Sequence, residues 1–368
     1  MDDLTSQEAA VLGIIRDNPF AGQQEIAEML GLARSTVAAH IVQLMQKGHV
    51  LGRGYVMPQP SRAICLGGAV LDRKYHAKQE IVQGTSNPVD STRAMGGVAR
   101  NVAENLARLG TQTGFISIVG DDEGGRTLMT YMRERGIDVS QMIISTERPT
   151  AEYAAILDPR GDLALGLADM GIFDLLRPEH LDRVWPHLAS ASFVFSDCNP
   201  PAETLAALIT RRRDARFRLA IDAVSTVKAM RLPKDLTGID LLFMNIDEAN
   251  AILGLSARAT IDDALKAARG LQAAGAREAV VTMGAAGIAV AGIDASASFE
   301  AVEAKAIDMT GAGDAMIAGT LHRVIAGDDI HTAARIGALV ATLTTESAAS
   351  VHPELSEAFL QAHMHRLS

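Results

Sequence analysis

A change of pattern at a double-proline segment, Met57-Pro58-Gln59-Pro60-Ser61, does most to limit how this chain can fold. Two prolines within three residues forbid a continuing helix and stiffen the chain. Beyond them, short apolar runs alternate with helical stretches. Strand-like runs fall at 63–69, 114–119, 193–196, 219–222, 241–245 and 279–283. Helical periodicity falls at 99–109, 124–135, 313–326 and 331–348. Two further runs, 153–157 and 163–167, flank the turn Asp158-Pro159-Arg160-Gly161 and predict a hairpin. Such alternation predicts an α/β domain, a mostly parallel sheet with helices on both faces. With 368 residues, the chain has room for such a core and one small extra domain, since a domain of about 300 residues buries about three quarters of its unfolded surface.

The segment before the prolines has another pattern. Three apolar stripes at helical spacing occupy 6–17, 22–30 and 34–47, with Asn18-Pro19 breaking the first. Gly31-Leu32-Ala33 forms a short turn and Gly48 ends the third stripe. A helix, a three-residue turn with Gly and a second helix make a helix-turn-helix, and 49–56 reads as two short strands around Gly52-Arg53-Gly54, a small wing. Charge divides along the module. Residues 1–30 hold six acids and one base, whereas 31–62 hold Arg34, Lys47, Arg53 and Arg62 and no acid. The segment resembles winged helix-turn-helix regulators. That resemblance implies DNA as a partner, with Arg34, Lys47 and Arg53 meeting phosphates and Arg34, Ser35, Thr36 and His40 presented to base edges. The pattern also suits a helical dimerisation module with a solvated face.

Composition narrows the class. Apolar residues make up 48% and charged residues 21%, which excludes a disordered or collagen-like chain. No uninterrupted apolar run reaches ~18 residues, so no transmembrane helix is expected. The acidic start Met1-Asp2-Asp3, with no apolar run behind it, predicts no secretory signal. Cys65 and Cys198 cannot build a disulfide framework or a four-ligand zinc site by themselves. A cytoplasmic location is expected. The net charge of -10 argues against nucleic-acid binding by bulk charge and confines any such role to a local patch.

The most specific string is Asp308-Met309-Thr310-Gly311-Ala312-Gly313-Asp314, followed by an apolar helix. The glycines allow a sharp turn that presents bare N–H groups where a helix begins, and there the helix dipole favours an anion. Asp314 falls at the same helix start, where a carboxylate can act as base for a hydroxyl that attacks phosphorus. Neither a Walker A loop nor His-Glu-x-x-His is present.

With this string, the sequence from about residue 62 onward resembles the ribokinase-like (PfkB) carbohydrate and nucleoside kinases. Further strings match in the family's order: Gly67-Gly68-Ala69-Val70-Leu71-Asp72, Gly96-Gly97-Val98-Ala99-Arg100-Asn101, Asn245-Ile246-Asp247-Glu248 and Thr282-Met283-Gly284-Ala285-Ala286-Gly287. The resemblance implies that Asp72, Gly96, Gly97 and Asn101 orient a sugar, and that Asn245 and Glu248 order Mg²⁺ partly through water. It implies that Thr282, Gly284 and Gly287 admit ATP, and that Gly311, Ala312 and Gly313 hold the transferring phosphoryl group while Asp314 acts as base. Asp308 and Thr310 would donate carbonyls to K⁺. Within the family, Gly-Gly-Val-x-Arg-Asn, Ala168-Asp169-Met170, Asp197-Cys198-Asn199 and Asp222-Ala223-Val224-Ser225 with Lys228 look like pseudouridine kinases, with Asp169 and Asn199 as contacts to sugar or base. Ala99 and Ala223 depart from residues common in relatives.

The expected organisation is a winged helix-turn-helix at 1–57, a linker at 58–62 and a kinase domain at 63–368. A β lid at about 72–98 and 151–170 is expected to pair with a second subunit into a homodimer. The expected activity is ATP-dependent phosphorylation of a nucleoside, foremost pseudouridine. The alternatives are another nucleoside, a ribose-like free sugar, or a regulator that only senses its ligand. Trp185 is expected to serve packing, and Arg211-Arg212-Arg213 to form a solvated helix face.

Overall fold

The computed structural model describes residues 4–18, 21–51, 62–256 and 258–367. The part of the expected wing from residue 52 on, with Arg53, and the linker prolines lie outside the described residues. The N-terminal module consists of helices Ser6–Asp17, Gln23–Leu30 and Arg34–Gln46. Thr5 caps the first: Glu8 N–H donates to its hydroxyl, and Thr5 N–H donates to the Glu8 carboxylate at 2.7 Å. Gly31, in the left-handed region at φ 63°, ends the second helix. Val11, Leu12, Ile15, Ile26, Val37, Ile41, Leu44 and Val50 form the module's core. Lys47 does not stand free for phosphate: its ammonium donates to both oxygens of the buried Glu8 at 2.8 Å.

The main domain is built on an eight-stranded sheet. In spatial order its strands are Thr113–Ile116, Ala63–Leu66, Phe193–Asp197, Arg218–Asp222, Leu241–Asn245, Glu278–Thr282, Ile288–Ala291 and Ser296–Phe299. The first six run parallel and the last two antiparallel. Successive side chains alternate between two buried cores: Ile64 and Leu66 join one, Ala63 and Cys65 the other. A separate four-stranded sheet, ordered Val89–Gly96, Val70–Ala77, Glu152–Leu157 and Leu163–Asp169, stands out from the domain where the lid was expected.

Some boundaries differ from the sequence reading. The run 63–69 ends as a strand at Leu66, and Val70 already begins the lid. The run 114–119 divides at Ser117, whose hydroxyl donates to Gly67 O at 2.5 Å. Its second half, Ile118–Gly120, pairs instead with Ile143–Ser145. Nor are the three arginines a purely solvated face. Arg212 donates to the Asp240 carboxylate at 2.8 and 2.9 Å, Arg213 pairs with Asp235, and Arg211 pairs with Asp182 while stacking 4.0 Å from the Trp185 ring centroid.

Parallel strands place their carboxyl ends on one rim, where open α/β sheets bind ligands. Asp197, Asp222, Asn245 and Thr282 are the last residues of four neighbouring strands, and Gly67 follows a fifth.

Candidate active site

Asp308–Asp314 forms a loop at this rim, leading into the helix Ala312–Ala326. Gly311 is its N-cap at φ 81°, and a Cβ there would fall 2.0 Å from the Ser350 carbonyl oxygen, so only glycine fits. The first turn of this 15-residue helix therefore presents N–H groups and the positive end of its dipole to an open mouth. Asp314 lies in that turn. Its carboxyl keeps an opening toward the cleft but is otherwise crowded by protein. This desolvation pushes its pKa up to about 6, against the N–H of Asn101 and the charge of Arg100, with Asp197 adding to the rise. Asn101 Nδ2 donates to Asp314 Oδ2 at 2.6 Å.

Asn101 lies in the helix Val98–Arg108, which begins directly after the Gly96-Gly97 pair. Asp72, on the lid strand, sets its carboxylate against Gly96, where a Cβ would lie 2.1 Å from Asp72 Oδ2. Burial pushes the Asp72 pKa up, opposed by Arg100 and Lys74. Of Asp72, Gly96, Gly97 and Asn101, the last bonds Asp314 directly, and the charge of Arg100 acts on both Asp72 and Asp314. Asn199 is buried in a different bonded group. Fully buried Asp197 accepts from Gly68 N–H at 2.9 Å, Ala99 N–H at 3.0 Å, and Asn199 N–H and Nδ2 at 3.0 and 2.7 Å. Lys228 Nζ donates to Asn199 Oδ1 at 2.5 Å. Asp169 lies apart from these, exposed at the end of the lid's edge strand in register with Glu152.

Two residues with no assigned role in the sequence reading prove central. Asp197 ties the Gly67-Gly68 turn to the start of the Asn101 helix, and a carboxylate ending an apolar strand is the only signal that marks it. Arg100 is 1% exposed and bonds both Asn101 and Glu104. Its place one residue before Asn101 gives no hint that it points inward.

Asn245 and Glu248 are partners to each other. Asn245 N–H donates to Glu248 Oε2 at 2.8 Å and Glu248 N–H to Asn245 Oδ1 at 2.9 Å, a capping box at the start of Ile246–Leu253. Burial pushes the pKa of Glu248 up. Asp222, at the end of the strand Arg218–Asp222, is pushed far up by burial and then by the charges of Glu248, Asp314 and Asp197. Among the described residues no three His, Cys, Asp or Glu side chains gather as a ligand set. The Asp308 carboxylate is occupied by Thr310 N–H at 2.8 Å and by Lys74 at 3.8 Å.

Beyond the loop opens a cavity of about 460 Å³. Thr282, Gly284 and Gly287 line it on one side, Ala312 and Gly313 on another, and Ala338, Ala341 and Thr345 of the helix Ile330–Thr345 on a third. A flat heteroaromatic ring suits such small apolar walls. In the N-terminal module, Arg34 and Ser35 are exposed at the start of the third helix, while Thr36 and His40 are half-buried. The His40 ring Nε2 is hydrogen-bonded to Gln7 Oε1 at 3.1 Å. No described helix is long and apolar enough to cross a membrane.

Comparison with known proteins follows the same division. The pfkB carbohydrate kinase family profile matches residues 62–357, and a winged helix-turn-helix DNA-binding profile matches 7–50. The chain is similar to an uncharacterized sugar kinase, YeiI, of Escherichia coli, at 29% identity over 96% of this chain and 97% of that one. It is similar to the pseudouridine kinase of Escherichia coli at 29% identity over 72% of this chain and 83% of the relative. A carbohydrate kinase from Agrobacterium tumefaciens superposes with a TM-score of 0.74 at 33% identity, over 82% of this chain and 96% of the other.

Proposed function

The chain belongs to the pfkB family of carbohydrate kinases and carries a winged helix-turn-helix domain at its N-terminus; from that premise, we propose that it transfers the terminal phosphoryl group of ATP to the 5′-hydroxyl of a ribosyl nucleoside, foremost pseudouridine. The observation that carries this reading is the 2.6 Å bond between Asn101 and Asp314. It joins the sugar-facing Gly-Gly segment to the base at the mouth of the anion loop, so hydroxyl, base and phosphoryl group meet at one place.

In this mechanism the cavity beside Gly284 and Gly287 takes the adenine end of ATP, and the first-turn N–H groups at Gly311–Gly313 face the transferring phosphoryl group. Asp72 and the Gly96-Gly97 backbone orient the ribose. Asp314, deprotonated above about pH 6, removes the proton from the attacking hydroxyl. Glu248 and Asn245 would hold Mg²⁺ through water, and the ion would supply positive charge against the phosphates. The bonded cluster Asp197, Asn199 and Lys228 supports a site for the base of the nucleoside, and the similarity to a pseudouridine kinase favours that base. Asp169 closes over the substrate from the lid. The lid's exposed edge strand supports a homodimer. The exposed Arg34 and Ser35, with Arg53 from the wing, support DNA contact by the N-terminal module.

A coupled ADP-release assay over pseudouridine, uridine, inosine, ribose and fructose tests the substrate. Pseudouridine is expected to give the highest kcat/KM, at least tenfold above uridine and ribose. A higher value for another compound retires pseudouridine in its favour. ADP release with none of them favours the ligand-sensing regulator.

A further inference from the structure

A carboxylate base is set by what faces it, and Asp314 is faced by a carboxamide. Asparagine has one end that only donates and one that only accepts. If the oxygen of Asn101 faced Asp314, two acceptors would meet, and the base would be driven toward its protonated, inactive form. Some group has to decide which end points where. Arg100, one residue earlier on the same helix, does so: its guanidinium donates to Asn101 Oδ1. A guanidinium carries donors and no acceptor, so only the oxygen of Asn101 can face it. The Nδ2 end is thereby left for Asp314, at 2.6 Å.

Arg100 is itself held on every side. It is 1% exposed. It bonds Glu104 one helical turn on and donates to the carbonyl oxygens of Met95 and Gly96. Glu104, fully buried, also accepts from Arg108 and Arg135 at 2.9 Å and from the Tyr131 hydroxyl at 3.1 Å. An arginine buried to this degree needs its charge paired and its donors satisfied, and this network does both. The same guanidinium fixes the Gly96 carbonyl, so its position also sets the backbone against which Asp72 rests.

We infer that Arg100, anchored by Glu104, is the positioning residue of the catalytic base: it orients the Asn101 carboxamide so that an N–H faces Asp314 and keeps that carboxylate available at neutral pH. This rests on the reading of Asp314 as the base. A helix-stabilising role alone would not act on the protonation of Asp314, and that difference makes the inference testable.

The experiment is the pH dependence of kcat/KM with the best substrate of the panel, for the wild-type full chain, Arg100→Met, Arg100→Lys and Asn101→Ala. In Arg100→Met the acid limb is expected to move at least one pH unit upward. For a shift of one unit, its loss should approach tenfold below about pH 6, be about twofold at pH 7 and vanish as the pH rises toward 9, with the KM for ATP kept within about twofold. Arg100→Lys should return part of the shift. Should Arg100→Met fail to fold, Asn101→Ala carries the test, since loss of the N–H must move the limb in the same direction. An unmoved acid limb in the folded variants, with the same fractional loss at every pH, overturns the inference. The base itself is judged separately by Asp314→Asn: turnover there removes the premise, whereas inactivity there with an unmoved limb in the Arg100 and Asn101 variants removes only the positioning role.

Discussion

At the scale of single residues, the described structure gives several charged groups tasks unlike those their sequence neighbourhood suggests. Lys47 looked like a phosphate contact at the end of a recognition helix. Its ammonium is instead the partner of Glu8, on the first helix of the module. Burial raises the Glu8 pKa, but the bonds from Lys47 and Thr5 outweigh it and hold the carboxyl down at about 2. A depressed carboxylate stabilises the folded module above its ordinary range near pH 4–5, and that contribution is lost as the pH falls toward 2. Amide exchange of Val11 and Ile15 in the intact chain should therefore quicken between about pH 5 and 2. Lys47→Met should speed the same amides at pH 7 by the equivalent of about 1–3 kcal/mol, with kinase turnover unchanged. Unaltered protection in Lys47→Met would mean that the pair contributes nothing. This bond was not legible in the sequence, because residues 8 and 47 come together only through the packing of the first helix on the third. Asp314 and its glycines were legible, because a turn at a helix start is a local event. Arg100 was not, because helical periodicity alone does not tell a buried arginine from a solvated one.

At the scale of elements, sequence pattern located the sheet well, since two-sided burial gives parallel strands continuous apolar runs. It misplaced the strand ends at Leu66 and Ser117, where a side-chain bond, not a change in apolarity, stops the strand. The hairpin of Glu152–Leu157 and Leu163–Asp169 was visible from its turn. Its outer strand, Leu163–Asp169, exposes Leu163, Leu165 and Leu167 by 58%, 50% and 53%. Alternation places the three on one face, and an exposed apolar strand edge is a template for pairing. In the proposed homodimer this strand meets its copy. Leu165→Lys should then give a particle of 38.9 kDa by light scattering at micromolar concentration, where the wild type gives twice that mass. It should also weaken binding to a two-half-site DNA more than Arg34→Ala weakens a single half-site, since the dimer presents two modules. A wild type that is already monomeric contradicts the dimer.

At the scale of the whole molecule, two domains of separate family share one chain, and the described contacts join them. Gln43, Gln46 and Lys47 at the end of the third helix line a cleft of about 380 Å³ with Trp185, Ala189 and Arg211 of the kinase domain. Trp185 packs edge-on against Phe217 at 5.8 Å, so one aromatic residue borders both the core and the helix-turn-helix module. The catalytic claim depends on the rim at the strands' carboxyl ends, where Asp197 and Asp222 end two neighbouring strands and Asn101 bonds Asp314. The most direct measurement is the pH dependence of kcat/KM for wild type and Asp314→Asn, with nucleotide binding measured alongside. For the wild type, kcat/KM should fall tenfold per pH unit below about pH 6, as expected when a single carboxylate must be deprotonated. Asp314→Asn should lower kcat by about 10²–10⁴-fold while ATP still binds. Near-normal turnover in Asp314→Asn, or an acid limb that survives the substitution unchanged, would contradict the account.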